Sequence, residues 1–359
     1  MADFKAGSLP LLIGSFPIND HKKAIKLVFE YTPEIPLWVQ LPFYKEEGML
    51  DQFSKGMPGL TKSIDGKIFI DTSKKNFNEQ CLNFYNDYLG VIEKTMEIKT
   101  SRFKLTGKRA TGFNQFLTYI DDQINNQTRT FTALKGQVTG PVTFAVGITD
   151  QNNKAIFYND ELRDIAVKHI AMHGKYQAKK FIEKGIKPII FFDEPVLAGF
   201  GTSAFITITK QDVTNALNEV IKAVHKQNGL VGVHVCANTE WSILFDLNID
   251  IISFDSYSYF NKFILYPEMI KKYINRGGIL AWGIVPTLNV NDIAKETTNS
   301  LTKKLKFQIK EIEKLGISKK TIIEQSFITP SCGTGSIDIN SAIKVLELTR
   351  DVSKEIQSW

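Results

Sequence analysis

The chain has 359 residues, of which 43% are hydrophobic and 23% are charged, a composition typical of a folded globular protein and not of a disordered one. The net charge is +6, but the basic residues are scattered and do not form the Lys/Arg runs with interleaved aromatics of a nucleic-acid interface. The sequence contains three cysteines, and no stretch approaches the ~20 continuous apolar residues of a membrane span. We therefore expect no disulfide framework, no nucleic-acid partner and no membrane insertion.

The first residues of the chain lack the basic start and apolar core of a signal peptide. Thiols remain free in reducing compartments, where disulfides are rare. The expected location is therefore the cytoplasm.

Eight short runs rich in Ile, Val, Leu and Phe alternate with longer amphipathic segments. Because the runs lack polar alternation, they predict parallel strands that are buried on both faces. The runs comprise residues 11–16, 35–41, 135–142, 187–193, 230–236, 250–255, 278–285 and 325–329. Eight strand–helix units predict an α/β fold, a (β/α)8 TIM barrel that spans residues 1–359 as a single domain.

Helical periodicity marks the segments between the strands. The clearest helical patterns cover residues 160–184, 212–226, 290–315 and 341–356. The connection between predicted strands two and three is much longer than the others. Residues 43–134 contain two helical patterns, at 77–94 and 112–126, and an Asp65-Gly66 pair that predicts a two-residue hairpin turn. We interpret residues 43–134 as an insertion or cap within the barrel domain.

Polar residues, Gly and Pro collect where the predicted strands end. The active site of such a barrel lies at the carboxyl ends of its strands. Gly14 and Ser15 occupy this position in the first predicted strand, Asp193 ends the fourth, and Glu194 follows it. The sequence therefore predicts a functional site at this end of the barrel.

Three residues among the three cysteines and five histidines are placed to hold one metal ion. His234 and Cys236 lie two residues apart at the end of the fifth predicted strand, so their side chains point the same way. Cys332 follows the eighth predicted strand. One nitrogen and two sulfur ligands suit zinc, and three protein ligands leave a position open for a reacting group. The alternative is that both cysteines are inert buried thiols.

Asp255 ends the sixth predicted strand and is a candidate fourth metal ligand. The alternative role for this carboxylate is to cap the turn that follows. Zinc bound by two thiolates is electron-rich, so it holds a third thiolate better than it generates hydroxide. This ligand set therefore predicts alkyl transfer to a sulfur atom.

Two further pairs of residues have an interpretation from the sequence. Asp193 and Glu194 are adjacent, so they point to opposite sides, and both are candidate substrate-binding residues. We expect one to pair with a substrate ammonium and the other with neighbouring backbone. Gly14 and Ser15 offer backbone N–H groups and a hydroxyl for a carboxylate. His169 and His173 lie on the apolar stripe of a predicted helix, so we expect them to pack and not to bind a metal.

These motifs together resemble the catalytic half of cobalamin-independent methionine synthase, within a superfamily that includes uroporphyrinogen decarboxylase and the methylcobamide:coenzyme M methyltransferases. Segments 13–17, 139–143, 193–195, 234–236 and 330–333 carry the resemblance. The resemblance implies a barrel with zinc at its mouth, held by His234, Cys236 and Cys332.

The same resemblance implies roles for the residues near the metal. Asp193 matches the residue that contacts the ammonium of the amino-acid substrate. Ile13, Gly14 and Ser15 match the segment around its carboxylate. Where the family has a glutamate ligand, this chain has Asp255.

The predicted function is zinc-dependent transfer of a methyl group to a small thiol, with homocysteine preferred and methionine as the product. The full-length family enzyme has a second barrel that helps to bind polyglutamyl folate, for which 359 residues leave no room. The expected donor is therefore methylcobalamin or a methylcorrinoid protein, which is not stably bound. Three alternatives stay open: transfer to coenzyme M or another small thiol, a metal-free decarboxylase of the uroporphyrinogen type, and a non-enzymatic binding module with structural zinc.

Overall fold

The computed structural model describes residues 4–201 and 207–359. Its strands, numbered in chain order, are β1 (Leu9–Pro10), β2 (Leu60–Lys62), β3 (Ile68–Ile70), β4 (Leu134–Thr139), β5 (Pro188–Asp193), β6 (Leu230–Val235), β7 (Ile251–Phe254), β8 (Ile279–Val285) and β9 (Ser326–Pro330). Seven of them form a parallel sheet in the order β1-β9-β8-β7-β6-β5-β4, which curls into a half-barrel flanked by helices. The predicted α/β class is therefore confirmed.

Helices connect the strands and cover the outside of the sheet. They are α1 (His21–Tyr31), α2 (Met49–Gln52), α3 (Phe77–Ile92), α4 (Thr111–Asn125), α5 (Pro141–Gly147), α6 (Asp160–Ile182), α7 (Lys210–His225), α8 (Ser242–Phe245), α9 (Ser256–Phe263), α10 (Pro267–Asn275), α11 (Val290–Lys295), α12 (Thr298–Glu313), α13 (Lys319–Glu324) and α14 (Ile339–Gln357). Within the described ranges, no helix has both the length and the apolar character needed to cross a bilayer.

Strands β4 to β9 are buried on both faces, and each face of the sheet has its own apolar cluster. In β5, Ile190 and Phe192 belong to the larger cluster, which contains the helices. Ile189 and Phe191 belong to a smaller cluster of strand residues and their extended neighbours. Side chains of a strand alternate between faces, so the smaller cluster marks the inner, concave face of the sheet.

Most predicted elements lie within two residues of the observed ones, which is the usual scatter of element boundaries. One predicted strand, 135–142, is too long. β4 ends at Thr139, and Pro141 begins α5 because proline lacks an N–H for a strand ladder and suits the first turn of a helix. The predicted helix 290–315 is two helices, α11 and α12, separated where Thr297 forms a capping box with Ser300.

The first two predicted strands differ most from the structure. β1 covers only Leu9 and Pro10, ahead of the predicted 11–16. Segment 35–41 makes two isolated parallel bridges, Ser15↔Gln40 on one side and Leu37↔Lys135 on the other. One reason is that Pro36 lies within the segment and cannot donate to a ladder.

The connection 43–134 contains α2, α3, α4 and a hairpin. In the hairpin, β2 pairs with β3 in antiparallel fashion. The turn is longer than the two residues predicted from Asp65-Gly66, because the Ser63 N–H donates to the Lys67 carbonyl and closes a loop of three residues. Gly66 takes a φ of +87° there, as expected of the glycine in such a loop.

Candidate metal centre

The end of β6 brings two predicted ligands to the inner face of the sheet. Val231, Val233 and Val235 pack in the outer cluster with the helices. His234 alternates with these valines and therefore faces inward. Cys236 follows directly after the strand, two residues beyond His234.

The structure brings His234, Cys236 and Cys332 together. One potential ligand atom from each residue lies within 4.8 Å of the other two. His234 is buried, and both cysteines are free thiols with partial exposure. The three residues form a possible metal-binding group that opens toward the end of the sheet where strands β4 to β9 finish.

One nitrogen of His234 is fixed by the neighbouring strand. The Nδ1 atom lies 2.9 Å from the Ser253 hydroxyl of β7, whereas Nε2 is buried and has no hydrogen-bond partner within the described part of the chain. Buried polar atoms nearly always have a partner, and metal-bound imidazoles use their second nitrogen for a hydrogen bond of this kind. The geometry therefore fits metal ligation through Nε2.

The two thiols differ in their electrostatic surroundings. The neighbouring Cys332 thiol and the His234 side chain lower the pKa of Cys236. The pKa of Cys332 is raised, because this thiol donates to Cys236 and is desolvated. Cys236 is thus the more acidic of the two thiols, and a cysteine binds a metal in its thiolate form.

The loop that carries Cys332 is held by Ser15. The Thr334 N–H and the Thr334 hydroxyl both donate to the Ser15 carbonyl at 3.0 Å, and the Gly335 N–H donates to the Ser15 hydroxyl at 3.1 Å. A Cβ atom on Gly333 would lie 2.2 Å from that hydroxyl oxygen, so a side chain at this position would displace the Ser15 hydroxyl. The predicted carboxylate segment, Ile13 to Ser15, is therefore hydrogen-bonded to the loop that carries a predicted metal ligand.

Asp193 and Glu194 point to opposite faces, as expected. Asp193 continues the inner face of β5, and its Oδ1 atom is buried without a hydrogen-bond partner among the described residues. Burial raises the pKa of this carboxyl, and the neighbouring His234 and Lys135 oppose that shift. An inward-facing carboxylate with an unused oxygen beside the metal-binding group suits a cationic substrate group.

The Glu194 carboxylate is hydrogen-bonded to the start of α5. Its Oε1 accepts from the Val142 N–H at 2.9 Å, and its Oε2 accepts from the N–H and the hydroxyl of Thr143 at 2.8 and 2.6 Å. These groups belong to the first turn of α5, where a carboxylate satisfies free N–H donors. Burial raises the pKa of Glu194 to about 7. Glu194 thus joins β5 to α5, and its contact with substrate stays a prediction.

Asp255 performs the capping role that was the alternative to metal binding. Its side chain accepts from the Ser258 N–H at 2.8 Å at the start of α9. The other oxygen, Oδ2, is buried and has no hydrogen-bond partner in the described ranges. The compact ligand group includes His234 and the two cysteines without Asp255, so its role as a fourth ligand stays a prediction.

His169 and His173 pack, as expected from their position on α6. Their Nε2 atoms lie 3.2 Å apart, and the ring of His169 lies within 6.2 Å of the rings of Phe84, Phe103 and Phe144. Desolvation lowers the pKa of His169 to about 4 and shifts the pKa of His173 in the same direction. Both imidazoles are therefore neutral parts of the core.

Two polar residues near the site, Ser253 and Lys135, are not among the site residues predicted from the sequence. Ser253 lies in β7 opposite His234, and two-residue spacing from Asp255 places both on the inner face. The sequence signal for Ser253 was a polar residue within an otherwise apolar run. Lys135 is wholly buried in β4, and a lysine within a predicted buried strand was the corresponding signal.

Comparisons with known proteins do not assign a family. No family model matches the chain, and no curated protein matches it. Among solved structures, the chain is similar to the crystal structure of A. niger ochratoxinase, with 12% identity over 63% of this chain and a TM-score of 0.28. The match covers 56% of the ochratoxinase chain, and at this identity and TM-score it supports no inference about function.

Proposed function

We propose that this protein is a zinc-dependent methyltransferase that acts on the thiol of a small amino acid, with homocysteine preferred and methionine as product. The observation that carries the proposal is the convergence of His234, Cys236 and Cys332 within 4.8 Å, next to the inward-facing carboxylate of Asp193. The resemblance of the same motifs to cobalamin-independent methionine synthase gives the reaction class.

The donor set favours zinc over other common ions. Thiolates and a neutral imidazole are typical zinc ligands, whereas magnesium and calcium prefer oxygen. A zinc ion held by His234, Cys236 and Cys332 would lower the pKa of a substrate thiol and keep its sulfur nucleophilic. Asp255 is the proposed fourth ligand, since its Oδ2 atom has no hydrogen-bond partner among the described residues.

The surrounding residues would bind the rest of the substrate. Asp193 would pair with the ammonium group through its buried Oδ1 atom. The N–H groups of Gly14 and Ser15 would hold the carboxylate, beside Ile13, on the segment that is hydrogen-bonded to the Cys332 loop. A thiol that carries a sulfonate and no ammonium would find a carboxylate where it needs a cation, so Asp193 favours an amino-acid thiol.

We also propose that segment 35–41, the second predicted strand, joins the seven strands of the sheet and closes a (β/α)8 barrel, with residues 43–134 as the insertion in that barrel. The Phe16 N–H donates to the Gln40 carbonyl and the Gln40 N–H to the Gly14 carbonyl, both at 3.0 Å. On the other side, the Lys135 N–H donates to the Pro36 carbonyl at 3.0 Å. Such a barrel would place the metal centre at its carboxyl-terminal mouth.

The direct test is methyl transfer by purified, zinc-loaded protein. Homocysteine and coenzyme M would each be offered as acceptor, and methylcobalamin and a methylfolate as donor, with product measured by mass spectrometry. We expect methionine from homocysteine and methylcobalamin. Absence of product with every donor and acceptor, at one zinc per chain, would overturn the proposal.

The other outcomes of this test separate the alternatives. Transfer to coenzyme M alone would identify a different thiol substrate and remove the role of Asp193. Decarboxylation of uroporphyrinogen by metal-free protein would identify the decarboxylase reaction. We propose the cytoplasm as the location, because Cys236 and Cys332 must remain reduced to bind a metal.

A further inference from the structure

Lys135 is a buried cation in the interior of the sheet. It lies in β4 with 0% of its surface exposed. Its ammonium donates to the Ile13 carbonyl and lies 4.5 Å from the centre of the Phe191 ring. The side chain therefore crosses beneath segment 35–41, which lies between β4 and residues 13–16.

Burying this charge is costly. Desolvation lowers the pKa of Lys135 to about 8, and the carboxylate of Asp193 is the group that opposes this shift. In the described part of the chain, no carboxylate lies within 4.0 Å of the ammonium. Lysine is almost never fully buried without a close partner, so a role beyond packing is expected for it.

A path of hydrogen bonds and short backbone segments leads from Lys135 to the metal-binding group. Lys135 fixes the carbonyl of Ile13. Two residues later, the carbonyl and hydroxyl of Ser15 accept three hydrogen bonds from Thr334 and Gly335. Those two residues follow Cys332 in the same loop. Ile13 and Cys332 are thus joined by a short path of backbone and hydrogen bonds.

Segment 35–41 is sparsely paired on both of its sides. Residues 13–16 and β4 are both bonded to this segment by single bridges instead of a full ladder. Lys135 joins the two flanking elements directly, without depending on the segment between them. The interaction therefore joins two elements across a segment whose backbone pairing is sparse.

We propose that Lys135 is a positioning residue for the metal centre: its ammonium holds the carbonyl of Ile13, and so fixes the segment from which Ser15 binds the Cys332 loop. The proposal rests on the proposed metal site and not on methyl transfer. Its test therefore measures metal binding, and the result can be interpreted even if the protein does not transfer methyl groups.

The experiment compares Lys135→Met with Ser353→Ala. Methionine preserves most of the side-chain volume but cannot hold the Ile13 carbonyl. The Ser353 hydroxyl donates to the Ser8 carbonyl at 2.7 Å, so Ser353→Ala removes another bond to the same N-terminal segment, far from the Cys332 loop. Zinc affinity would be measured by chelator competition, and ligand geometry by the absorption spectrum of the cobalt(II)-substituted protein.

We expect Lys135→Met to bind zinc about tenfold more weakly, the lower end of the range for outer-shell changes, with weaker cobalt absorption bands. Ser353→Ala should lower the melting temperature without changing either readout. Zinc affinity within twofold of wild type in folded Lys135→Met would overturn the proposal. If that variant does not fold, Thr334→Val, which removes one bond of the same path, must weaken zinc binding; unchanged affinity there would also overturn it.

Discussion

The Nδ1 atom of His234 lies 2.9 Å from the hydroxyl oxygen of Ser253, on the adjacent strand of the sheet. This hydrogen bond fixes the orientation of the imidazole ring and leaves Nε2 as its free nitrogen. It therefore selects which ring atom would bind a metal.

Ser253→Ala tests this orientation. The variant should bind zinc roughly tenfold to a hundredfold more weakly, because the ring loses its hydrogen-bond partner. The fold should persist, since the change removes only one buried hydroxyl. Chelator competition would measure the affinity. An affinity equal to wild type would show that another contact orients His234.

Cys332→Ser tests the ligand assignment. Serine is a poor zinc ligand, so the variant should lose most bound zinc while its circular dichroism spectrum stays that of the wild type. Cys81→Ala is the matched control, because Cys81 is a buried free thiol in α3 that lies outside the ligand group. Full zinc occupancy in Cys332→Ser, measured by elemental analysis, would contradict the assignment.

The adjacent acids Asp193 and Glu194 should behave differently. Asp193→Asn should raise KM for an amino-acid thiol more than it lowers zinc affinity, because only the contact with the ammonium is lost. Glu194→Gln should instead destabilise the fold by about 2 kcal/mol, since an amide NH2 would face backbone donors in α5. Steady-state kinetics and urea unfolding distinguish these effects. A KM effect from Glu194→Gln with unchanged stability would reverse the two roles.

The pair of buried histidines predicts loss of stability in acid. The pKa of His169 is about 4 in the folded protein, against 6.5 for the ordinary group, so the unfolded state binds a proton more readily as the pH falls below 6.5. The free energy of unfolding should therefore fall between pH 6.5 and 4, by up to about 3 kcal/mol from His169.

His173→Phe isolates part of this effect, because it removes one buried titrating ring while keeping an aromatic side chain. Urea unfolding at pH 7 and pH 5 should show a smaller loss of stability on acidification in the variant than in the wild type. Equal losses in the two proteins would assign the acid sensitivity to other groups.

The sequence predicted the inner strands well because their signal is local. The apolar run that contains β6 predicts a strand. Because side chains of a strand alternate between its two faces, this is sufficient to place His234 and Cys236 on one face. The same alternation separates Asp193 from Glu194. By contrast, the ends of the helix in 290–315 depend on the capping box of Thr297, and the pairing of 35–41 depends on distant partners.

The contacts between distant residues could not be read from the sequence. Ser15 and the Cys332 loop are separated by more than 300 residues, and three hydrogen bonds join them. Lys135 reaches Ile13 across 122 positions. Such contacts follow from sheet order and strand curvature, which a pattern of residue types does not encode.

The most direct measurement is zinc-edge X-ray absorption of the purified protein, with elemental analysis, before and after addition of homocysteine. The account predicts one zinc per chain with two sulfur ligands, from Cys236 and Cys332, and a third sulfur after homocysteine is added. Absence of zinc, or a metal centre whose sulfur count does not change with the thiol, would contradict thiol activation by this site.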